Sequence, residues 1–272
     1  MKSFKGKVVW ITGASSGIGR ALAQAYSNEG AFVIISARRE ELLEEVKSSV
    51  KEPSNCMVLP LDLSQHHQAS SWVKEALSFK GHIDVLINNG GIGHLGSVEE
   101  MDFEVERRVM EVNFWAAAAL SKSVLPSMLQ RNQGEIWTVA SILAYFGSPK
   151  LAAYAASKFA VMGYFESLQY ELADTDVHAG ILSPGFINTA VTLSSLGPDG
   201  KPIGKNSVAQ EKGMLPEELA QKFLKKTRKA RPPKSIIIGR YERFAVPFKR
   251  ILPGLFRIVY GKLTNVTRKK KD

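Results

Sequence analysis

Apolar residues in this chain fall into two alternating kinds of segment. Short runs, apolar almost throughout, occupy Val8 to Thr12, Phe32 to Ser36, Met57 to Leu61, Val85 to Asn88, Ile136 to Ala140, Ala179 to Ser183 and Ile236 to Ile238. Between them lie longer stretches of helical period at Ile18 to Asn28, Glu40 to Lys51, Gln65 to Lys80, Phe103 to Gln130, Ala153 to Ala173 and Pro216 to Ala230. The alternation is a βαβ pattern. Strands that are apolar at successive positions, rather than at every second one, are covered on both faces. The pattern therefore predicts an α/β, doubly wound Rossmann fold with a parallel sheet of about seven strands and helices on each side.

Periodicity stops between Ile187 and Met214, where Gly197, Pro198, Asp199, Gly200, Pro202 and Gly204 are concentrated. A long aperiodic loop in a compact α/β domain is usually functional, so residues 187–215 are expected to form a lid over a substrate; a disordered insertion is the alternative. The organisation expected is one catalytic domain over residues 1–239, lid included, followed by an extension over residues 240–272.

Composition adds the character of that extension. The chain has 272 residues, 44% of them hydrophobic, which suits one large domain. Its net charge of +10 is concentrated at the end, where Arg240 to Asp272 hold ten Lys or Arg against two acids. No apolar run approaches the roughly 20 residues of a membrane-spanning helix. Cys56 is the single cysteine, and the opening residues show no signal-peptide pattern, so a reducing, cytoplasmic setting is expected.

Candidate chemistry begins after the first run, at Thr12-Gly13-Ala14-Ser15-Ser16-Gly17-Ile18-Gly19. Gly13 can make a tight turn, Gly17 lets backbone approach a pyrophosphate, and Gly19 lets helix and strand pack closely, with the diphosphate at the helix N-terminus. The second strand ends Ser36-Ala37-Arg38-Arg39, without the acid that would hold a ribose 2′-hydroxyl. Arg38 is placed to pair with a 2′-phosphate and Arg39 to stack on adenine, which points to NADP(H). Asp62, followed by Leu63, can accept from the adenine amino group, and Asn88-Asn89-Gly90-Gly91 ends the fourth strand with small residues where a nucleotide would lie.

Tyr154 and Lys158 are four residues apart at the start of a helix, hence on one face, one turn apart. A phenol with a pKa of about 10 is a poor proton donor or acceptor at neutral pH, so a neighbouring cation and an ordered nicotinamide ribose would be needed to tune it. Ser141, 13 residues upstream at a strand end, can hydrogen-bond a substrate oxygen.

Over roughly residues 5 to 240 the chain resembles the short-chain dehydrogenase/reductase family. The resemblance rests on Thr12-Gly13-x-x-x-Gly17-Ile18-Gly19, Asp62, Asn88-Asn89-x-Gly91, Asn113, Ser141, Tyr154-x-x-x-Lys158 and Pro184-Gly185, in the family's order. It implies that Ser141 positions the carbonyl, Tyr154 is general acid for reduction and base for oxidation, and Lys158 holds the ribose hydroxyls. By the same resemblance Asn113 supports a water leading protons to Lys158, while Pro184, Gly185, Ile187 and Thr189 line the nicotinamide. Gly90 departs from the alanine usual in that segment, and Ala140-Ser141 stands where two serines are frequent. With the Gly-Pro-Asp-Gly-Lys loop and the basic end, these departures make the chain similar to the dehydrogenase/reductase member 7 and 7B branch, which implies lipophilic carbonyl or alcohol substrates and homodimers or homotetramers.

The implied function is NADP-dependent oxidoreduction; the alternative is a catalytically silent nucleotide-binding regulator or scaffold, since fold alone does not establish turnover. Nucleic-acid binding is not expected, because the basic residues cluster in a tail without a recognition motif. No metal is expected: His66 and His67 read as solvated caps, and His82, His94 and His178 show no ligand spacing. Phe103, Met110, Phe114, Trp115 and Met128 read as core or subunit interface. In the extension, Phe244, Phe248, Ile251, Leu252, Leu255, Phe256, Val259 and Tyr260 fall near helical spacing beside Lys249, Arg250, Arg257 and Lys262. Such a face suits peripheral contact with an anionic membrane, or packing over the substrate cleft or a second subunit with only Arg268, Lys269, Lys270 and Lys271 left in water.

Overall fold

The computed structural model describes residues 2–191, 193–205 and 208–264. Seven parallel strands form one sheet in the order β3-β2-β1-β4-β5-β6-β7. They are β1 Val8–Thr12, β2 Phe32–Ser36, β3 Cys56–Val58, β4 Val85–Asn88, β5 Gly134–Val139, β6 Val177–Pro184 and β7 Ser235–Ile238. β1 pairs with β2 at Trp10 and Ile34 and with β4 at Trp10 and Leu86. The order reverses between β1 and β4, and that switch point opens a crevice beyond the strands' carboxyl ends.

The two-faced burial expected from the apolar runs is what the sheet has. Val9, Ile11, Val33 and Ile35 point to one face, where they meet Leu22, Tyr26 and Phe223 from α1 (Gly17–Asn28) and α8 (Pro216–Thr227). Val8, Trp10, Ile34 and Leu86 point to the other, against Leu120 and Phe165 from α5 (Ala116–Gln130) and α6 (Ala152–Glu171). α2 (Glu40–Ser49) and α3 (Ala69–Lys80) complete the two layers. Each fully buried Leu or Phe contributes about 1.5–3 kcal/mol, so the sheet is held by its faces as much as by its ladders.

Two elements differ from the sequence reading. The third strand is shorter than the apolar run and ends at Val58, although the Leu59 and Leu61 N–H groups, on either side of Pro60, still donate to the Ile35 and Ala37 carbonyls at 3.0 Å. The helical period from Phe103 to Gln130 is divided into α4 (Phe103–Met110) and α5 by a π turn over Glu111–Trp115. One inserted residue leaves the surrounding period intact, which is why the pattern does not reveal it. His66, read as a solvated cap, instead pairs through Nε2 with Glu111 on that turn. Met128 is fully buried, whereas Phe103 and Trp115 are exposed.

The segment after β6 is not structureless. Leu196 pairs with Pro202 in a small hairpin, Ile187 bridges Met214, and α7 (Val208–Glu211) precedes α8. Beyond β7, α9 (Ala245–Ile251) and α10 (Pro253–Leu263) lie against the segment that follows β5: Phe256 is buried against Phe146, with ring centroids 5.1 Å apart, among Ile142, Phe248 and Tyr260. Ile251, Leu252, Leu255, Ile258 and Leu263 remain exposed. Residues 268–271 lie outside the described residues.

Candidate active site

The crevice at the switch point is a continuous cleft of about 660 Å³. Its floor is the turn between β1 and α1. Gly13 has φ +65° and lies so close to the next strand's exit that an added Cβ would be 2.6 Å from the Gly90 Cα. A Cβ on Gly19 would be 2.6 Å from the Asn89 amide nitrogen. That amide donates to the Thr12 and Gly13 carbonyls at 2.9 and 3.2 Å, while the Thr12 hydroxyl accepts the Asn89 and Gly90 N–H groups at 3.1 and 3.0 Å. Asn89 is thus spent on bracing the turn. Gly90, where the family usually has alanine, leaves room for the Leu63 side chain, which a Cβ would meet.

Ser16, heading α1, makes no capping bond, so the first turn of that helix turns its N–H groups toward the cleft beside Ser15, Gly17 and Ile18. Arg38 and Arg39 are exposed at the adjoining rim; among the described residues neither forms an ion pair. Asp62 lines the same end, with Oδ1 accepting the Ser64 N–H at 3.0 Å. These features suit a dinucleotide: an uncapped helix terminus for the diphosphate, with two guanidiniums at the adjoining rim.

At the other end Ser141, Tyr154 and Lys158 converge. Ser141 lies two residues beyond β5, and its hydroxyl accepts the Leu143 N–H at 3.1 Å. Tyr154 and Lys158 share a face of α6, with Nζ 5.7 Å from the phenol ring centre. The ammonium is buried, donates to the Val139 carbonyl at 2.9 Å, and is pushed down to about 8 by desolvation. Burial pushes the Tyr154 phenol above its ordinary value, and hydrogen bonding to Ser141 pulls it part of the way back. The chain's own groups therefore leave the phenol a weaker acid than free tyrosine, in keeping with the need for a further tuning group.

Asn113, 2% exposed in the π turn, faces neither Tyr154 nor Lys158 with a direct bond. Its Oδ1 accepts the Ile92 N–H at 2.7 Å, and its Nδ2 donates to the Ile92 carbonyl and the Ser157 hydroxyl at 2.9 and 3.1 Å. It fastens the exit of β4 to α6 next to Lys158. A Cβ on Gly91 would be 3.0 Å from that Oδ1.

Pro184, Gly185, Ile187 and Thr189 form the wall after β6. A residue of the extension supports it: buried Glu242 accepts the Phe186 and Arg240 N–H groups through Oε1 at 3.0 and 3.1 Å. A Cβ on Gly185 would be 2.6 Å from the Glu242 Cγ. Sequence reasoning missed Glu242, because nothing local marks an acid 56 residues away as the partner of a backbone amide. It also missed Arg108, Val112, Ile92, Val191, Leu193 and Pro202, which line the same cleft.

A family model described as short chain dehydrogenase matches residues 7–196. The "Dehydrogenase/reductase SDR family protein 7-like" of Anopheles gambiae is 39% identical, over 82% of this chain and 73% of that protein. The "Dehydrogenase/reductase SDR family member 7B" of Bos taurus is 33% identical, over 97% and 83%. Among solved structures, a short chain dehydrogenase/reductase from Burkholderia phymatum in complex with NAD superimposes with a TM-score of 0.81 at 24% identity, over 92% of this chain and 95% of that one. An alcohol dehydrogenase from Thermococcus sibiricus complexed with 5-hydroxy-NADP gives 0.74 at 27% identity, over 87% and 97%.

Proposed function

The chain belongs to the short-chain dehydrogenase family of nicotinamide-dependent oxidoreductases, in the branch of dehydrogenase/reductase members 7 and 7B, and on that premise we propose an NADP(H) enzyme acting on a lipophilic carbonyl or alcohol. The observation that carries the reading is the cleft itself, with Ser141, Tyr154 and Lys158 at one end and Arg38 without a competing acid at the other. Bound there, the cofactor supplies a hydride in reduction and takes one up in oxidation.

Arg38 pairs with the 2′-phosphate, Arg39 covers the adenine, and the first turn of α1 receives the diphosphate. Gly13, Ser15, Ser16, Gly17, Ile18, Gly19, Asp62, Leu63, Asn89 and Gly91 form that half of the site, and Pro184, Gly185, Ile187 and Thr189 enclose the other. Ser141 donates to the substrate oxygen. Tyr154 gives that oxygen a proton in reduction and removes it in oxidation, with Lys158 holding the ribose hydroxyls and favouring the phenolate. Asn113 holds Lys158's helix in place. The apolar lining from Ile92, Val191, Leu193 and Pro202 supports a lipophilic substrate.

Residues 1–239 form the catalytic domain in this reading, with 187–215 as its substrate loop and 240–272 as an extension working at the cytoplasmic surface of a membrane. No helix among the described residues is long and apolar enough to cross one. Exposed Ile251, Leu252, Leu255, Ile258 and Leu263 beside Arg250, Arg257 and Lys262 support peripheral contact instead. Exposed Trp115, Phe159 and Tyr164 support a homodimer or homotetramer assembled on the helices carrying Asn113 and Tyr154.

Fluorescence titration with NADPH and NADH tests the cofactor assignment. A charge-assisted phosphate contact contributes about 1.5–3 kcal/mol, so NADPH is expected to bind roughly ten- to a hundredfold tighter, and Arg38→Asp to reverse the order. NADH binding as tightly as NADPH to the unaltered chain would refute it. Co-sedimentation with anionic vesicles tests the extension, with salt-sensitive binding as the expected result.

A further inference from the structure

Helix α6 begins without a cap of its own. Leu151 stands at the N-cap position, where a residue such as Ser or Asp would normally accept an N–H of the first turn, and leucine has no atom to do so. The N–H of Tyr154, third in the helix, is nevertheless satisfied: it donates to Nε2 of His94 at 3.0 Å. The partner comes from 60 residues upstream, on the segment leaving β4.

His94 has a second attachment, through its backbone. It forms a parallel bridge with Leu196, in which the Leu95 N–H donates to the Leu196 carbonyl at 2.9 Å and the Leu196 N–H to the Gly93 carbonyl at 3.0 Å. Leu196 opens the hairpin of the substrate loop, closed by the Ile203 N–H to the Ser195 carbonyl at 2.9 Å. The ring is 1% exposed. To accept at Nε2 it must be neutral with its proton on Nδ1, an atom that is buried and has no partner in the structure. Protonation would set a second N–H against that of Tyr154.

We infer that His94 is a positioning residue for Tyr154: it supplies the missing cap of α6 and ties the helix's first turn to the segment on which the substrate loop is laid. The inference rests on Tyr154 being the proton-transfer residue. Burial favours the neutral ring, lowering its pKa from the ordinary histidine value. The charged or titratable side chains on the surrounding elements are Glu99, Glu100 and Asp102 downstream on its own segment, Asp199 and Lys201 on the hairpin, and Lys150, Tyr154 and Lys158 at and after the start of α6. Desolvation alone, and none of these, accounts for the shift.

Two substitutions separate the outcomes. His94→Gln keeps an acceptor near the Nε2 position without a titrating ring, and His94→Leu removes it. Amide hydrogen exchange of the unligated protein is expected to show the Tyr154 N–H deprotected at least tenfold in His94→Leu and protected in His94→Gln. With NADPH and 9,10-phenanthrenequinone as carbonyl probe, kcat is expected to fall roughly 10- to 100-fold in His94→Leu with the KM for NADPH unchanged. His94→Gln should restore kcat to within about threefold and lose the acid limb that protonation of His94 gives the unaltered enzyme below its ordinary pKa of about 6.5. Unchanged exchange in His94→Leu, lost protection with kcat intact, or an acid limb surviving in His94→Gln would each overturn the inference. Tyr154→Phe run alongside isolates its premise: turnover surviving in that variant refutes the role of Tyr154, while the exchange measurement still judges the cap.

Discussion

The two ends of the cleft are built by opposite means. At the phosphate end the backbone is packed against backbone, with Gly13 on Gly90 and the Asn89 amide clasping the carbonyls of Thr12 and Gly13. A Cβ at Gly13 or Gly19 would run into backbone. At the substrate end a hairpin rests on the segment of His94 by a few backbone bonds and the small apolar cluster of Met101, Val105 and Leu196. Gly204 there, at φ +68°, has open space where a Cβ would go. A ligand part that never varies can be met by fixed backbone, whereas one that differs between relatives is met by a loop that can be rewritten without disturbing the sheet.

Tyr154 stands where the ends meet, and its substitution should have the largest effect. Tyr154→Phe is expected to lower turnover by about 10²- to 10⁴-fold while leaving NADPH affinity within error, measured by steady-state kinetics beside fluorescence titration. A matching loss of affinity would mean that the phenol belongs to the cofactor end.

Gly19→Ala probes the packed end directly. Its methyl would overlap backbone and the Asn89 amide, so a loss of about 1–3 kcal/mol in unfolding free energy is expected, with NADPH binding weakened more than tenfold. Unchanged thermal stability would show that the turn yields easily, and the contrast would fail.

Lys158 gives the comparison a pH dependence. Burial lowers its folded-state value to about 8, against about 10.4 in an unfolded chain. Between those values the unfolded chain binds more protons, so this group makes stability rise with pH across that window, and below it the buried charge is a cost. Thermal unfolding without cofactor should show that rise, and Lys158→Met should flatten it. An unaltered slope in the variant would assign the rise to other groups.

Gly204→Ala should matter least. Strain at positive φ costs about 1 kcal/mol and nothing is struck, so the expected result is a change in substrate KM with NADPH affinity unmoved. If it weakened NADPH as Gly19→Ala does, the two ends would not be separable.

The same contrast explains what was legible in the sequence. The sheet, the glycine turn, Arg38 and the Tyr154–Lys158 pair all follow from spacing within one βα unit or one helical turn, which a linear pattern records. The clasp of Asn113 on Ile92, the cap that His94 provides and the support that Glu242 gives are made across 21, 60 and 56 residues, and each uses a residue type with no distinguishing neighbours. The extension showed its amphipathic face, but not that Phe256 turns inward onto Phe146 while Leu255 stays outside.

The interlock of Glu242 with Gly185 carries an evolutionary consequence. The carboxylate occupies the volume a side chain at 185 would need, and it is held there by the Phe186 amide of the wall it supports and by the Arg240 amide. Neither position can drift alone: enlarging residue 185 evicts the acid, and losing the acid orphans the Phe186 and Arg240 amides. The two sites should therefore show epistasis, Gly185→Ala being better tolerated in a Glu242→Ala background than in the native one. Lineages that shorten or replace the extension are expected to have released the constraint on residue 185 in the same step.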